Sequence, residues 1–284
     1  MHASSEKPGA PVSGVGRFVV SVTVWHVLTY FVFGFIASNV FGYRELFELP
    51  VIRDYYRPFG SVANLLGPAV QVLRGLVFAL VLLPFRKTLA ESKLGWLWLW
   101  GLFVGLGILG TPSAAPSSVE GVVYSKLPFW FHAIGLPEIG LQTLSFSVLV
   151  HAGLTGRRLG GAGKAGELLK ALSVACVAFA GYTVVSIGFA LAAGANVAEG
   201  GTDLRVLGQF VAPLALSFAA ALASARAGLV PTHAALYVLS AASIWAYQRF
   251  VLGGANPAYV LLAPVLPVVI SMLLNRKKSA KRAA

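Results

Sequence analysis

Long apolar blocks alternate with short polar connections along this chain, and the blocks have a common length. Eight of them, 18–41, 62–84, 95–112, 137–154, 171–193, 206–225, 229–249 and 257–274, each run for about 18 to 25 residues, enough to cross a hydrocarbon core of about 30 Å as a helix. None shows the two-residue alternation of a barrel strand. In lipid an uninterrupted apolar segment must satisfy its backbone internally, so these blocks predict helices. The expected architecture is all-α: a polytopic integral membrane protein, a bundle of about eight transmembrane helices with two outer interfacial or re-entrant segments, 43–60 and 113–135. Residues 1–16 read as a flexible cytoplasmic tail, 17–275 as a single transmembrane helical domain, and 276–284 as a basic cytoplasmic tail. The first block is about twice the length of a signal-peptide core and is counted as a span.

Composition agrees with that pattern. Of 284 residues, 57% are hydrophobic and only 11% charged, and the mean hydropathy of +0.78 lies far from the balance of a soluble domain. A net charge of +12 could suggest nucleic acid, but the cations flank the spans, where they orient helices. With a cytoplasmic N-terminus, Lys7, Arg17, Arg86, Lys87, Lys93, Arg157, Arg158, Lys164, Lys170, Arg226, Arg276, Lys277, Lys278, Lys281 and Arg282 lie inside; Arg44, Arg53, Arg57, Lys126, Arg205 and Arg249 lie outside. That bias predicts a multi-pass protein of the cell membrane with both termini cytoplasmic. Membrane lipids, rather than nucleic acid, are then the partner of the basic tail.

Punctuation within the blocks adds detail. In the second, Pro68 withholds the N–H that the Asn64 carbonyl would accept, predicting a kink near Gly67. In the third, Gly101 and Gly105 form a small-xxx-small face for a neighbouring helix. The G-x-G-x-x-G at Gly105, Gly107 and Gly110 lies inside an apolar helix rather than after a strand, so it is no dinucleotide fingerprint. Ser117 and Glu120 fit a capping box opening a short helix from about Ser118 to Leu127. Phe129, Trp130 and Phe131 suit an interfacial aromatic belt. Pro137 and Glu138 suit the first turn of the fourth span. Pro213, Pro264 and Pro267 are expected to bend spans six and eight.

Arg74 carries the sharpest chemical signal. It falls near the middle of the second span, where insertion of an arginine costs about 2.5 to 3.5 kcal/mol, so it calls for a partner or a watery cavity. Asn64 and Gln71 share its side of the helix. On the first span Thr23, His26 and Tyr30 stack at helical spacing, and on the fourth Gln142 follows Glu138. Glu120 and Glu138 are the candidate carboxylates for Arg74, brought within reach if the 113–135 segment dips inward. The expected binding set is therefore Arg74, Glu120, Glu138, His26, Tyr30, Asn64, Gln71, Tyr124, His132 and Gln142, with Arg74 attracting an anionic small molecule or lipid headgroup.

No G-x-S-x-G elbow, HExxH or CxxC pair occurs, so neither nucleophilic catalysis nor a cysteine metal site has a motif behind it. The lone Cys176 can form no intrachain disulfide. His26, His151 and His233 fall on different predicted helices, with no two at ligand spacing on one, and no haem or metal cofactor is implied. The reading is a transporter or channel-like protein with a polar pocket among helices 1, 2 and 4 capped by segment 113–135. The alternatives are an integral-membrane enzyme acting on a lipid or lipid-linked substrate, or a non-catalytic subunit of a larger membrane complex. A homo-oligomer is compatible with each.

Overall fold

Apolar runs of this length fold as helices, and in the computed structural model every regular element among the described residues is helical. Those residues are 14–58, 61–156, 164–195 and 203–275. Of the two expected tails only positions 14–16 fall among them, and the loop cations Arg157 and Arg158 also lie outside. Six helices among the described residues are long and apolar enough to cross a membrane: Val15–Val40, Phe129–Leu154, Gly166–Ala192, Arg205–Ser224, Leu229–Phe250 and Pro257–Asn275. The chain thus has the helices of a multi-pass membrane protein.

The other two expected spans are shorter apolar helices, Gly67–Leu82 and Gly95–Leu109. At 1.5 Å per residue they rise only about 24 Å and 22 Å, less than a hydrocarbon core. The cause in the first is local. Helix breaks at Leu66, between Val62–Leu65 and Gly67–Leu82, two residues before the proline that cannot donate. In the second, the α-helix Gly95–Leu102 widens into a π-helix over Phe103–Leu109. Gly101 and Gly105 face open space, since a Cβ at either would meet nothing within 4 Å, and the expected close helix contact is not made there.

The packing falls into two units, one of residues 1–56 and 71–163, the other of residues 57–70 and 164–284. In the first, α1 (Val15–Val40) leads through the short α2 (Tyr43–Leu46) and α3 (Pro50–Arg53). After α4 (Val62–Leu65), which with residues 67–70 belongs to the other unit, come the rest of α5 (Gly67–Leu82), α6 (Arg86–Glu91) and α7 (Gly95–Leu102) with its π continuation, then α8 (Val119–Tyr124) and α9 (Phe129–Leu154). Helix α9 packs along α1 and α7. Phe18, Val22, Ala79, Leu82, Leu99, Phe146 and Val150 form the core they share. Helix α5 meets α1 at Gly75, where any Cβ would stand 2.9 Å from the Thr23 Cα; only glycine permits that approach.

Helix α9 starts eight residues earlier than the expected fourth span, at Phe129, and carries Pro137 in its interior. Burial outweighs the proline: Phe131 and His132 are buried on the added turns, and Pro128 supplies a fixed φ at the N-cap. The short helix before it also differs from expectation. Its N-cap is Ser118, whose Oγ accepts from the Gly121 N–H at 2.8 Å, and not Ser117. Ser117 stands one residue outside with φ of 66°, so no capping box with Glu120 forms.

The second unit is a bundle of α10 (Lys164–Ala192), α11 (Leu204–Leu207), α12 (Val211–Ala227), α13 (Leu229–Phe250), α14 (Pro257–Leu262) and α15 (Val265–Asn275). Its core gathers Tyr182, Phe210, Ile244, Tyr259 and Ala263. Pro264 sits at the break between α14 and α15, as expected, while Pro213 lies in the first turn of α12 where its missing donor costs nothing. Several buried polar side chains answer one another here, while Tyr182, Ser240 and Asn275 each keep a buried oxygen without a partner among the described residues. Gln248 Nε2 donates to Gln209 Oε1 at 3.1 Å, while Gln248 Oε1 accepts the Asn256 N–H at 3.1 Å. His233 Nδ1 donates to the Leu229 carbonyl at 2.7 Å, which leaves Nε2 to accept from Ser271 Oγ at 3.1 Å.

Candidate functional site

One face of α9 carries Phe131, Ile134, Gly135, Glu138, Ile139, Gln142, Thr143 and Phe146, spaced three and four apart so that they share a side of the helix. All of them line a cavity of about 670 Å³ inside the first unit. From Phe131 to Phe146 that wall runs for about 22 Å at 1.5 Å per residue. The opposite walls come from His26 and Tyr30 of α1, Arg74 and Phe78 of α5, and Phe103, Gly107 and Ile108 of the π-helix. A π-helix widens the turn and often marks a functional site; here it supplies a ring and a bare glycine to the lining.

Aromatic rings close the inner part of the cavity. His26 meets Phe78 edge-on with centroids 4.8 Å apart, and Phe78, Phe103 and Phe146 contact one another at 5.1 to 5.9 Å. The guanidinium of Arg74, an exposed residue, lies 5.3 Å from the Phe78 ring centroid, a cation–π contact worth about 0.5 to 1 kcal/mol at such a site. It forms no ion pair or hydrogen bond with another described residue. The buried His26 donates from Nε2 to Gln71 Oε1 at 3.0 Å, which places Gln71 behind the cavity wall.

The other part is covered by the segment after α1. Tyr43, Phe47, Tyr56 and Phe131 make a chain of ring contacts at 5.1 to 5.7 Å, and Ile52 is buried beneath them with Leu127. The Tyr43 hydroxyl donates to Glu138 Oε2, tying this cover to α9. Burial first, and then the bond to Glu138, push the Tyr43 phenol well above its ordinary pKa; it stays a donor at any physiological pH. Burial likewise raises Tyr56.

The loop before α8 is held from below by His132. The Ser117 N–H donates to His132 Nδ1 at 3.0 Å, and Ser117 Oγ donates to the His132 carbonyl at 2.8 Å, next to the carbonyl that Pro137 leaves without its helical donor. This pair stabilises a left-handed φ that a serine rarely adopts. It also decides the chemistry of the neighbouring hydroxyl. With Nδ1 accepting, the neutral ring carries its proton on Nε2, so the Ser125 Oγ 3.4 Å away meets a donor and not a base. Ser125 Oγ gives its own proton to the Gly121 carbonyl at 2.6 Å. No serine nucleophile is built here.

Of the residues expected from sequence, the cavity brings together His26, Tyr30, Arg74, Glu138 and Gln142, with Gln71 one bond behind. His132 positions the loop whose Ser117 lines the cavity. Glu120 and Tyr124 are exposed on α8 and do not line it. Asn64 belongs to the other unit, which takes residues 57–70, and the break at Leu66 separates it from the helix that carries Arg74. Tyr43, Tyr56, Phe78, Phe103, Thr111 and Thr143 were not anticipated, although the α9 stripe from Phe131 to Phe146 is a periodicity that could have revealed its share. His151 Nε2 donates to the Ser92 carbonyl at 2.9 Å, so all three histidines considered as haem ligands hold other partners. Among the described residues no group of three or more metal-ligating side chains converges.

No family model, curated protein or solved structure matches this chain. Its function is therefore legible only in the geometry of the site itself.

Proposed function

We propose that the chain is a multi-pass membrane transporter that binds a small organic anion with an apolar body in this cavity. The carrying observation is Arg74, a permanent charge on the wall of an aromatic-lined cavity, with no carboxylate of the described residues paired to it. A cavity of about 670 Å³ falls within the range of small-molecule sites, about 300 to 1,000 Å³. Phe78, Phe103 and Phe146 suit a planar or aliphatic body, while the Gln142 amide offers an orienting hydrogen bond. The ring-packed cover from Tyr43 to Tyr56 favours a carrier over an open pore.

The test is flux of radiolabelled benzenesulfonate, a permanently ionised aromatic monoanion, into proteoliposomes. Wild-type protein should carry it, and Arg74→Gln should reduce uptake by tenfold or more with the fold intact. Uptake that ignores Arg74, or no uptake at all, would overturn the proposal. Turnover of a lipid substrate in detergent without any gradient would instead support the enzyme alternative, and obligatory copurification with other chains the subunit alternative.

A further inference from the structure

The transport reading leaves a charge to be balanced, and this inference rests on that reading. On the cavity lining Glu138 is the carboxylate and Arg74 the permanent cation. They make no ion pair with each other; Tyr30 lies within electrostatic reach of both. Empty, the two charges sum to zero. A monoanion seated on Arg74 would leave the cavity with a net charge of −1, facing Phe78, Phe103 and Phe146. Apolar walls make an uncompensated charge costly. One proton taken up by Glu138 returns the sum to zero.

We propose that the carrier is proton-coupled, each monoanion travelling with one proton held on the Glu138 carboxylate. The proton is drawn from water on the loading side and returned to water on the releasing side, so net charge movement is nil. The groups facing Glu138 support the assignment. From α2, Tyr43 donates to Glu138 Oε2 and keeps its own proton, so it serves as a fixed hydrogen-bond partner to either form of the acid. From α1, Tyr30 is a phenol and His26 is engaged with Gln71; from α5, Arg74 does not titrate. Tyr56 lines the cover, and the π-helix and the 115–117 loop contribute no titratable side chain to the lining. Gly34 packs against the other carboxylate oxygen, 3.9 Å from where a Cβ would stand, so α1 leaves space for the acid without offering it a counter-charge.

The experiment uses full-length protein in proteoliposomes with radiolabelled benzenesulfonate, which cannot itself carry a proton. A pH gradient of one unit should drive about tenfold accumulation toward the alkaline side, as one-to-one exchange of driving force requires. A potassium diffusion potential imposed with valinomycin should not change it. Glu138→Gln should bring the accumulation ratio at the same gradient to about one, and Glu138→Asp, which restores a carboxylate, should recover it. The Gln amide oxygen still accepts from Tyr43, so the variant keeps that contact. Accumulation that follows potential instead of pH would overturn proton coupling while leaving Arg74-dependent transport standing. Tenfold coupling retained in Glu138→Gln would overturn the assignment to Glu138, and its loss in His26→Asn would move the proton to that imidazole. Absence of any Arg74-dependent uptake would instead sink the transport reading and this one with it.

Discussion

The two units differ in what lies beside their polar side chains. In the second, helices of 27, 20, 22 and 19 residues pack around hydrogen-bonded sets, the Gln209–Gln248–Asn256 chain and the His233–Ser271 pair, and around Tyr182, Ser240 and Asn275, each with a buried side-chain oxygen that has no partner among the described residues. The first holds the two shorter apolar helices, and both contribute walls to a cavity where Arg74, Tyr30 and Gln142 have no hydrogen-bond partner among the described residues. The first unit keeps a cavity beside its polar side chains, between α1, α5, the π-helix and α9; the second packs its polar groups inside the bundle. A polar group that is satisfied internally acts as scaffold; one left facing a cavity is available to a ligand.

Substitutions in the two units should therefore separate stability from function, and the largest stability effect belongs to the second. Gln248→Leu removes the donor to the buried Gln209, stranding its side-chain oxygen at about 1 to 3 kcal/mol, and the acceptor of the Asn256 N–H, which belongs to an exposed residue. A loss of about 2 to 3 kcal/mol in detergent unfolding is expected; a change under about 0.5 kcal/mol, the usual range of a neutral surface substitution, would break the contrast between the units. Tyr43→Phe comes next. It deletes one hydrogen bond to a carboxylate, for which about 1.5 to 3 kcal/mol is typical, reduced by the partial exposure of the pair to about 1 to 2 kcal/mol. The sign with pH is defined: a phenol whose folded pKa is raised contributes its stability fully below its ordinary value of about 10, and loses it only as pH climbs past that. The Tyr43→Phe penalty should consequently persist at neutral pH and fade only in strong alkali. Smallest of all is Arg74→Met, expected to cost no more than about 1 kcal/mol, the contact with Phe78, because no carboxylate among the described residues depends on it. A large loss there would show that the guanidinium is a structural strut, and the cavity would lose its claim as a site.

Sequence reading and structure part at identifiable residues. Arg74, His26, Tyr30, Glu138 and Gln142 were legible because a polar residue inside an apolar helix is conspicuous. Glu120 looked equally conspicuous, yet it stands exposed on α8, since Ser118 and not Ser117 caps that helix. Asn64 shared a helical face with Arg74 only on the assumption of one straight helix, which the Leu66 break removes. Tyr43 and Tyr56 were hidden for the reverse reason: aromatic residues in a charged connection read as interfacial anchors until packing sets them against α9.

What the amino-acid order determined alone is the helical, lipid-compatible character of the chain, because the length and apolarity of each block leave its backbone no other way to satisfy its hydrogen bonds in oil. It also marked Pro68 as a breaking point, since a missing donor is a covalent fact. Tertiary structure decided which polar residues share a space. Whether Arg74 meets Glu138, Tyr30 or nothing depends on where α5 crosses α1 at Gly75 and on how the Tyr43–Tyr56 segment folds over α9. Those positions follow from side-chain contacts between segments far apart in the chain, whose energies no single block of sequence contains.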